Sequence, residues 1–309
     1  MTEVIQPFLA AFALALLFCG LLIPLLKKRR AGQEILSYVT EHKNKRGTPT
    51  MGGLAFLPAA AISSVLFAEH DYLLWVALSV GMGYLLVGFL DDFIKIRTRQ
   101  NLGLKAVQKI VFQISIALIV SAFCYKIGLT HLYIPFWKKT VDLGAWSIPY
   151  HLFLFLAAVN CVNLTDGLDS LAGGVSLSYF FIFGLMTPSL GTLCFALSGA
   201  ISAFLAFNSP KASVFMGDTG SLSLGGFVAI IAVLSERTLL LPVVGLPFVI
   251  SGLSVILQVS YFKLSGGKRI FLMAPFHHHL QKKGFSESKI SYCYFLISLI
   301  GGLVCLAWG

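Results

Sequence analysis

Runs of roughly twenty apolar residues recur along almost the whole chain, and this pattern decides what it can fold into. In lipid every backbone N–H and C=O must be satisfied internally, so such runs become membrane-spanning α-helices. Ten are readable, at about 4–26, 52–68, 72–90, 104–125, 148–164, 171–187, 190–207, 219–235, 239–262 and 289–308. Charged residues make up 12% of the chain, against about 25% in a soluble domain. No polar stretch is long enough for a separate soluble unit, so residues 1–309 are expected to form one all-α, polytopic membrane domain of about ten helices. The ninth run holds Pro242, Gly245, Pro247 and Gly252. Proline removes a backbone donor and clashes with the preceding turn, which predicts a broken or kinked ninth helix. The first run, Val4–Leu26, has no basic flank before it and no small-residue cleavage site, and reads as a retained helix.

Basic residues orient these spans. Of 23 Lys and Arg, 19 lie in segments 27–51, 91–109, 163–171, 208–218 and 263–290, while Lys126, Lys138, Lys139 and Arg237 lie on the other side. The positive-inside rule makes the first set cytoplasmic, and an even number of spans puts both termini outside. The net charge of +10 is then concentrated on one face. That face suits anionic lipid or a phosphorylated cytoplasmic substrate, although topology by itself explains much of the bias. Nucleic acid is not an expected partner. The six cysteines, at 19, 124, 161, 194, 293 and 305, fall in or beside apolar runs without metal-ligand spacing, and read as small core residues.

Topology does not account for five acids at the cytoplasmic membrane edge. Asp91 and Asp92 end the third run in "VGFLDDFIKI", Asp166 and Asp169 lie in "NCVNLTDGLDSLAGG", and Asp218 lies in "SVFMGDTGSL". Adjacent carboxylates at a helix C-terminus oppose the macrodipole and repel each other, a poor choice for structure alone. Pairing with Lys95 or Arg97 is the plainer account of them. Asp169 and Asp218 precede helices, where Asp is a favoured N-cap, and Asp166 sits in an Asp-Gly turn. Each acid therefore has a structural reading, but three loops bring them to one side. Such a cluster suits Mg²⁺, which takes one or two carboxylates and fills its shell with phosphate oxygens and water.

The stretch "APFHHHLQKKGF", residues 274–285, is as unusual. Three consecutive histidines diverge by about 100° each on a helix and cannot easily chelate one metal. In an irregular loop, His277, His278 and His279 with Lys282 and Lys283 suit a pyrophosphate better than zinc. An internal run this short does not read as a purification tag. In "HKNKRGTPTMGG", residues 42–53, glycines permit close backbone approach and Lys45 and Arg46 add charge, but the order is not that of a P-loop. Asn208, in "FNSPKASVFMGD", could orient a ligand or cap a helix end.

Taken together, "RGTPTMGG", "GFLDDFIK", "NLTDGLDSLAGG", "FNSPKASVFMGDTGSLSLGG" and "APFHHHLQKKGF" resemble, in order, the phospho-N-acetylmuramoyl-pentapeptide transferases, within a wider superfamily of polyprenyl-phosphate sugar-1-phosphate transferases. The aspartate motifs are shared across the superfamily, and the triple histidine points to the muramoyl-pentapeptide branch. The resemblance implies transfer of phospho-MurNAc-pentapeptide from UDP-MurNAc-pentapeptide to undecaprenyl phosphate, giving lipid I and UMP in the bacterial plasma membrane. It also implies Mg²⁺, a homodimer, outward termini and a ninth helix that projects from the bundle. Residue by residue, it makes Asp218 the metal ligand and Asp91 and Asp92 the pair that handles the polyprenyl phosphate, with Asp91 in the acid–base role. Lys95 and Lys109 would neutralise phosphate charge, and His277 and His278 would meet the diphosphate. Lys45, Thr50, Asn160, Asn163, Asp166, Asp169, Asn208, Phe215, Gln258 and His279 fall in the substrate-binding set, with Phe215 stacking on uracil. The outward connection 127–147 gives no reading.

Three rival readings fit parts of the pattern. A UDP-GlcNAc-type transferase would share the chemistry. A secondary transporter also uses intramembrane acids and broken helices, but near the midplane. A zinc-dependent membrane hydrolase would need HExxH or an equivalent set, which the chain lacks.

Overall fold

The structure is a computed structural model that describes residues 2–28, 47–68, 71–98, 102–135 and 137–308. Its helices are α1 (Thr2–Lys28), α2 (Gly53–Phe67), α3 (Tyr72–Thr98), α4 (Ala106–Lys126), α5 (Ser147–Thr165), α6 (Leu171–Met186), α7 (Pro188–Asn208), α8 (Gly217–Leu234), α9 (Leu241–Val244), α10 (Leu246–Leu264), α11 (Phe276–Lys282) and α12 (Glu287–Trp308). Eight of the described helices are long and apolar enough to cross a membrane. Two shorter apolar helices, α2 and α6, bring the set to the ten expected. This is an all-α polytopic membrane protein.

The bundle is built around α8. Every residue from Thr219 to Leu234 is buried, between α3 and α5 and against α2 and α6. By contrast α1, α4, α10 and α12 show long apolar side chains on their outer faces, including Leu17, Ile119, Ile256 and Ile300. That pattern suits lipid outside and close helix packing inside. The α3–α8 seam is tight because Gly88 has no side chain: a Cβ there would meet the carbonyl of Asp218. On the same seam, Thr219, Ser223 and Phe227 of α8 recur every fourth residue and meet Asp92, Gly81 and again Gly81 of α3.

The ninth span breaks where its glycine and prolines stand. A short 3-10 turn, Thr238–Leu240, leads into α9, and Gly245 separates α9 from α10, which has Pro at its first turn. The connection 127–147 contains a two-stranded antiparallel hairpin, β1 (His131–Ile134) and β2 (Lys139–Asp142), with His131 opposite Asp142. The hairpin docks on the turn after α8. Tyr133 N–H donates to the Glu236 carbonyl at 3.3 Å, His131 lies 3.2 Å from the Glu236 carboxylate, and Arg237 sits over the Tyr133 ring.

Candidate active site

At the opposite end of the bundle from the hairpin, α3, α4, α5 and α8 bring polar side chains together. The helix α3 runs on to Thr98, so Asp91 and Asp92 stand inside its last two turns and not at its C-terminus as expected. That extension supplies Lys95 at i+4 from Asp91 and i+3 from Asp92, a favourable acid-then-base order. Its ammonium lies 2.5 Å from Asp91 Oδ2, 3.7 Å from Asp92 Oδ1 and 3.0 Å from Asp218 Oδ2. Lys109, in the first turn of α4, reaches Asp218 Oδ2 at 2.5 Å and Asp91 Oδ1 at 3.4 Å. Asn163 of α5 completes the ring, donating to Asp218 Oδ1 at 2.9 Å and to Ser221 at 2.8 Å.

The three carboxylates are chemically distinct in their bonding. Asp91 is buried, and its Oδ1 also accepts the Leu104 N–H at 2.9 Å, tying the α3–α4 connection to the site. Asp92 is buried too, and its Oδ2 accepts the Thr219 N–H at 2.9 Å and the Thr219 hydroxyl at 2.8 Å. Asp218 is the most open of the three, with a side chain 17% exposed. It lies within α8 after Gly217, and Met216 holds the N-cap position, so Asp218 does not cap the helix. Gly217 has φ +69, where a side chain would be strained, and a Cβ there would crowd Thr50 Oγ1 and Asp92. Oxygens of Asp91, Asp92 and Asp218 lie within 4.8 Å of one another. This all-oxygen set suits a hard divalent cation, which Asp218, its most open member, is placed to hold. Against two ammonium groups it leaves one net negative charge, which a cation would more than offset.

Asp166 follows the last residue of α5, and Asp169 lies in the turn before α6. Burial, and then the carboxylates of Asp218, Asp92 and Asp169, push the Asp166 carboxyl well above the usual carboxylate range. Asp169 does not cap α6, whose N-cap is Ser170. It is buried, accepts the Ala212 N–H at 3.2 Å, and its carbonyl takes the Ser291 hydroxyl.

The histidine run is helical, contrary to the irregular loop expected. On α11, successive side chains diverge. His277 is fully buried, with its ring 4.4 Å from that of His278, and both Nε2 atoms stand over Gly167 of the "TDGLD" turn. His278 Nδ1 lies 3.2 Å from Gln281 Oε1, and Gln281 donates on to Glu287. An amide oxygen only accepts, so this pairing puts the proton on Nδ1. His279 turns the other way. Its Nδ1 accepts the Leu272 N–H at 3.1 Å, and its ring packs on Phe271 and Phe276.

The remaining expected site residues divide into rim and scaffold. Thr50 is buried beside Gly217, and the Phe215 N–H donates to the Pro49 carbonyl, joining the "TPTMGG" and "VFMGD" segments near Asp218. Asn160 donates to Gln113 Oε1 at 2.8 Å. Asn208 accepts the Ser170 N–H and donates to the Val214 carbonyl, stapling α6 to the 209–216 connection. Gln258 of α10 accepts the Phe271 N–H at 2.8 Å, and Ser254 accepts that of Phe276. Lys45 lies outside the described residues. The sequence reading missed Thr219, Ser221 and Gln113. Thr219 and Ser221 follow Asp218 by one and three residues, and Gln113 is a buried amide one helical turn from Lys109, so their polarity beside known motifs was the available signal.

A family model described as glycosyl transferase family 4 matches residues 74–236, and phospho-N-acetylmuramoyl-pentapeptide-transferase signature 1 matches residues 45–57. A phospho-N-acetylmuramoyl-pentapeptide-transferase of Caldanaerobacter subterraneus subsp. tengcongensis is 41% identical over 304 residues, covering 96% of this chain and 96% of the relative. The chain belongs to the phospho-N-acetylmuramoyl-pentapeptide transferase family. Relatives of the same name from Clostridioides difficile and Listeria monocytogenes are 39% and 40% identical over 99% and 97% of the chain. Membership and the apolar helices make it a bacterial membrane enzyme, and its acidic triad belongs to a family of phosphotransferases.

Proposed function

We propose that this protein transfers phospho-MurNAc-pentapeptide from UDP-MurNAc-pentapeptide to undecaprenyl phosphate, releasing UMP and forming lipid I, at the cytoplasmic face of the plasma membrane. One observation carries the reading furthest. Motifs scattered from α3 to α11 converge at one bundle end into three carboxylates, two ammonium groups and, across the Asp166 turn, two imidazoles. An oxygen of undecaprenyl phosphate attacks the sugar-bearing phosphorus, the bond to the second phosphate breaks, and UMP leaves.

The first barrier is repulsion between two anions. Lys95 and Lys109 lower it, since both reach into the cluster from the side. Mg²⁺, with Asp218 as its ligand, supplies Lewis-acid stabilisation of the diphosphate and of the UMP leaving group when bound. A phosphate monoester has a second pKa near 6, so the nucleophile needs little help from a base. The internal bonds of both Asp91 oxygens fit that modest demand. His278, half-buried, faces the diphosphate with the fully buried His277 packed behind it over Gly167, while Phe215, Thr50, Asn160 and Asn163, with Lys45, form the nucleoside-sugar side. Asp169, Asn208, Gln258 and His279 support that side from behind, in keeping with their internal bonds. Direct transfer and a covalent aspartyl route use the same groups. The protein forms a homodimer, as the resemblance implies, and its termini face outward, as the charge bias implies.

The test is UMP release by purified protein with Mg²⁺ and undecaprenyl phosphate. Release from UDP-MurNAc-pentapeptide and not from UDP-GlcNAc supports the proposal. Release from UDP-GlcNAc alone moves the chain to the sister chemistry, and release from neither overturns both.

A further inference from the structure

Asp92 is bonded differently from its neighbours. Thr219 occupies the third helical position of α8, where an N–H lacks an intrahelical partner and is ordinarily satisfied by an N-cap side chain. Met216, at the N-cap position, makes no such bond. The acceptor comes instead from another helix. Asp92 Oδ2 of α3 takes both the N–H and the hydroxyl of Thr219, in a setting where both residues are 2% exposed or less. A carboxylate at that end also complements the α8 dipole.

The geometry has a chemical consequence one residue away. Asp218 and Thr219 are adjacent, so their side chains diverge by about 100° around α8. Fixing Thr219 against α3 fixes the rotation of α8 and aims Asp218 at Lys95, Lys109 and Asn163. The bare backbone of Gly88 closes the same seam against the Asp218 carbonyl, so rotation is further limited there.

We propose that Asp92 is a positioning residue: it caps α8 from across the helix pair, through Thr219, and so sets the direction in which Asp218 presents its carboxylate. This rests on the reading of Asp218 as the metal ligand. A ligand or a base needs the charge of Asp92, whereas a cap needs only its acceptor oxygen. Asp92→Asn therefore separates the roles. Thr219→Ser keeps both bonds, and Thr219→Val removes the hydroxyl.

The experiment measures Mn²⁺ binding to the full chain in detergent, without substrates, from the spin-resonance signal of free Mn²⁺, with melting temperatures recorded alongside. Asp218→Asn abolishes binding. Asp92→Asn and Thr219→Ser stay within about threefold of wild type, while Asp92→Ala and Thr219→Val weaken binding about tenfold, the lower end of what losing a supporting group costs a metal site. If Asp92→Ala does not fold, Asp92→Asn decides, because it keeps an acceptor oxygen without the charge. Loss in Asp92→Asn equal to that in Asp218→Asn overturns the proposal by making Asp92 a ligand. Wild-type affinity in Asp92→Ala, which deletes both bonds to Thr219, overturns it. Unchanged binding in Asp218→Asn, or none in wild type, defeats the metal reading itself, and the proposal falls with it.

Discussion

Asp218 meets Lys95, Lys109 and Asn163 at once and is the most open of the three carboxylates. Asp218→Asn keeps its size and removes its charge. Turnover is predicted to fall by about 10²–10³-fold, the range seen when a key electrostatic group is lost, with little recovery in excess Mg²⁺. UMP release across a Mg²⁺ titration checks this, and full turnover would remove Asp218 from the metal site. Asp166 gives a pH-dependent prediction. Its carboxyl is held above the usual range by burial first and neighbouring carboxylates second, so the native state binds the proton more tightly than the unfolded chain does. The associated stability is present below the unfolded pKa, about 3.9, and is lost as pH rises through the folded value. Asp166→Asn removes that loss, so in EDTA its gain in melting temperature is larger at pH 8 than at pH 5. Equal gains at both would return Asp166 to the ordinary range. The sequence announced these acids by type and by their shared end of the bundle. It did not announce how Asn208, Gln258 and His279 are used, because a buried polar side chain must find a partner and sequence does not say which.

Helix pairs set the tolerances of the site. Where Gly88 meets the Asp218 carbonyl, any Cβ forces α3 and α8 apart. Gly88→Ala is predicted to cost about 1–3 kcal/mol from overpacking, and to lower turnover more than its effect on melting temperature accounts for, because Asp218 moves with the backbone. A variant with wild-type melting and turnover would show the seam to be slack. Elements were legible where periodicity and length were strong. The ten apolar helices and the break at Gly245 follow from run length and from proline chemistry. Less was legible where long-range contacts decide. The helix α3 extends past its apolar run because Lys95 pairs with acids on two helices, and the histidine run winds into α11 while Ser254 and Gln258 anchor the strand of chain before it. The β1–β2 hairpin escaped notice because its four-residue strands are too short to show alternation.

For the whole molecule, the split of basic residues predicts which end faces the cytoplasm. Lys139, in the hairpin after α4, and Lys268, after α10, are both exposed and lie at opposite ends of the bundle. With the native cysteines replaced, a membrane-impermeant maleimide on intact cells is expected to label Lys139→Cys and to spare Lys268→Cys until the membrane is opened. The reverse pattern inverts the assigned orientation. The central claim is that the assembled cluster makes lipid I. The most direct measurement is the mass of the lipid product formed from UDP-MurNAc-pentapeptide and undecaprenyl phosphate with Mg²⁺, by wild type and by Asp218→Asn. A diphosphate-linked MurNAc-pentapeptide lipid from wild type alone is the predicted result. Its absence from wild type, or its undiminished presence in Asp218→Asn, would contradict the account.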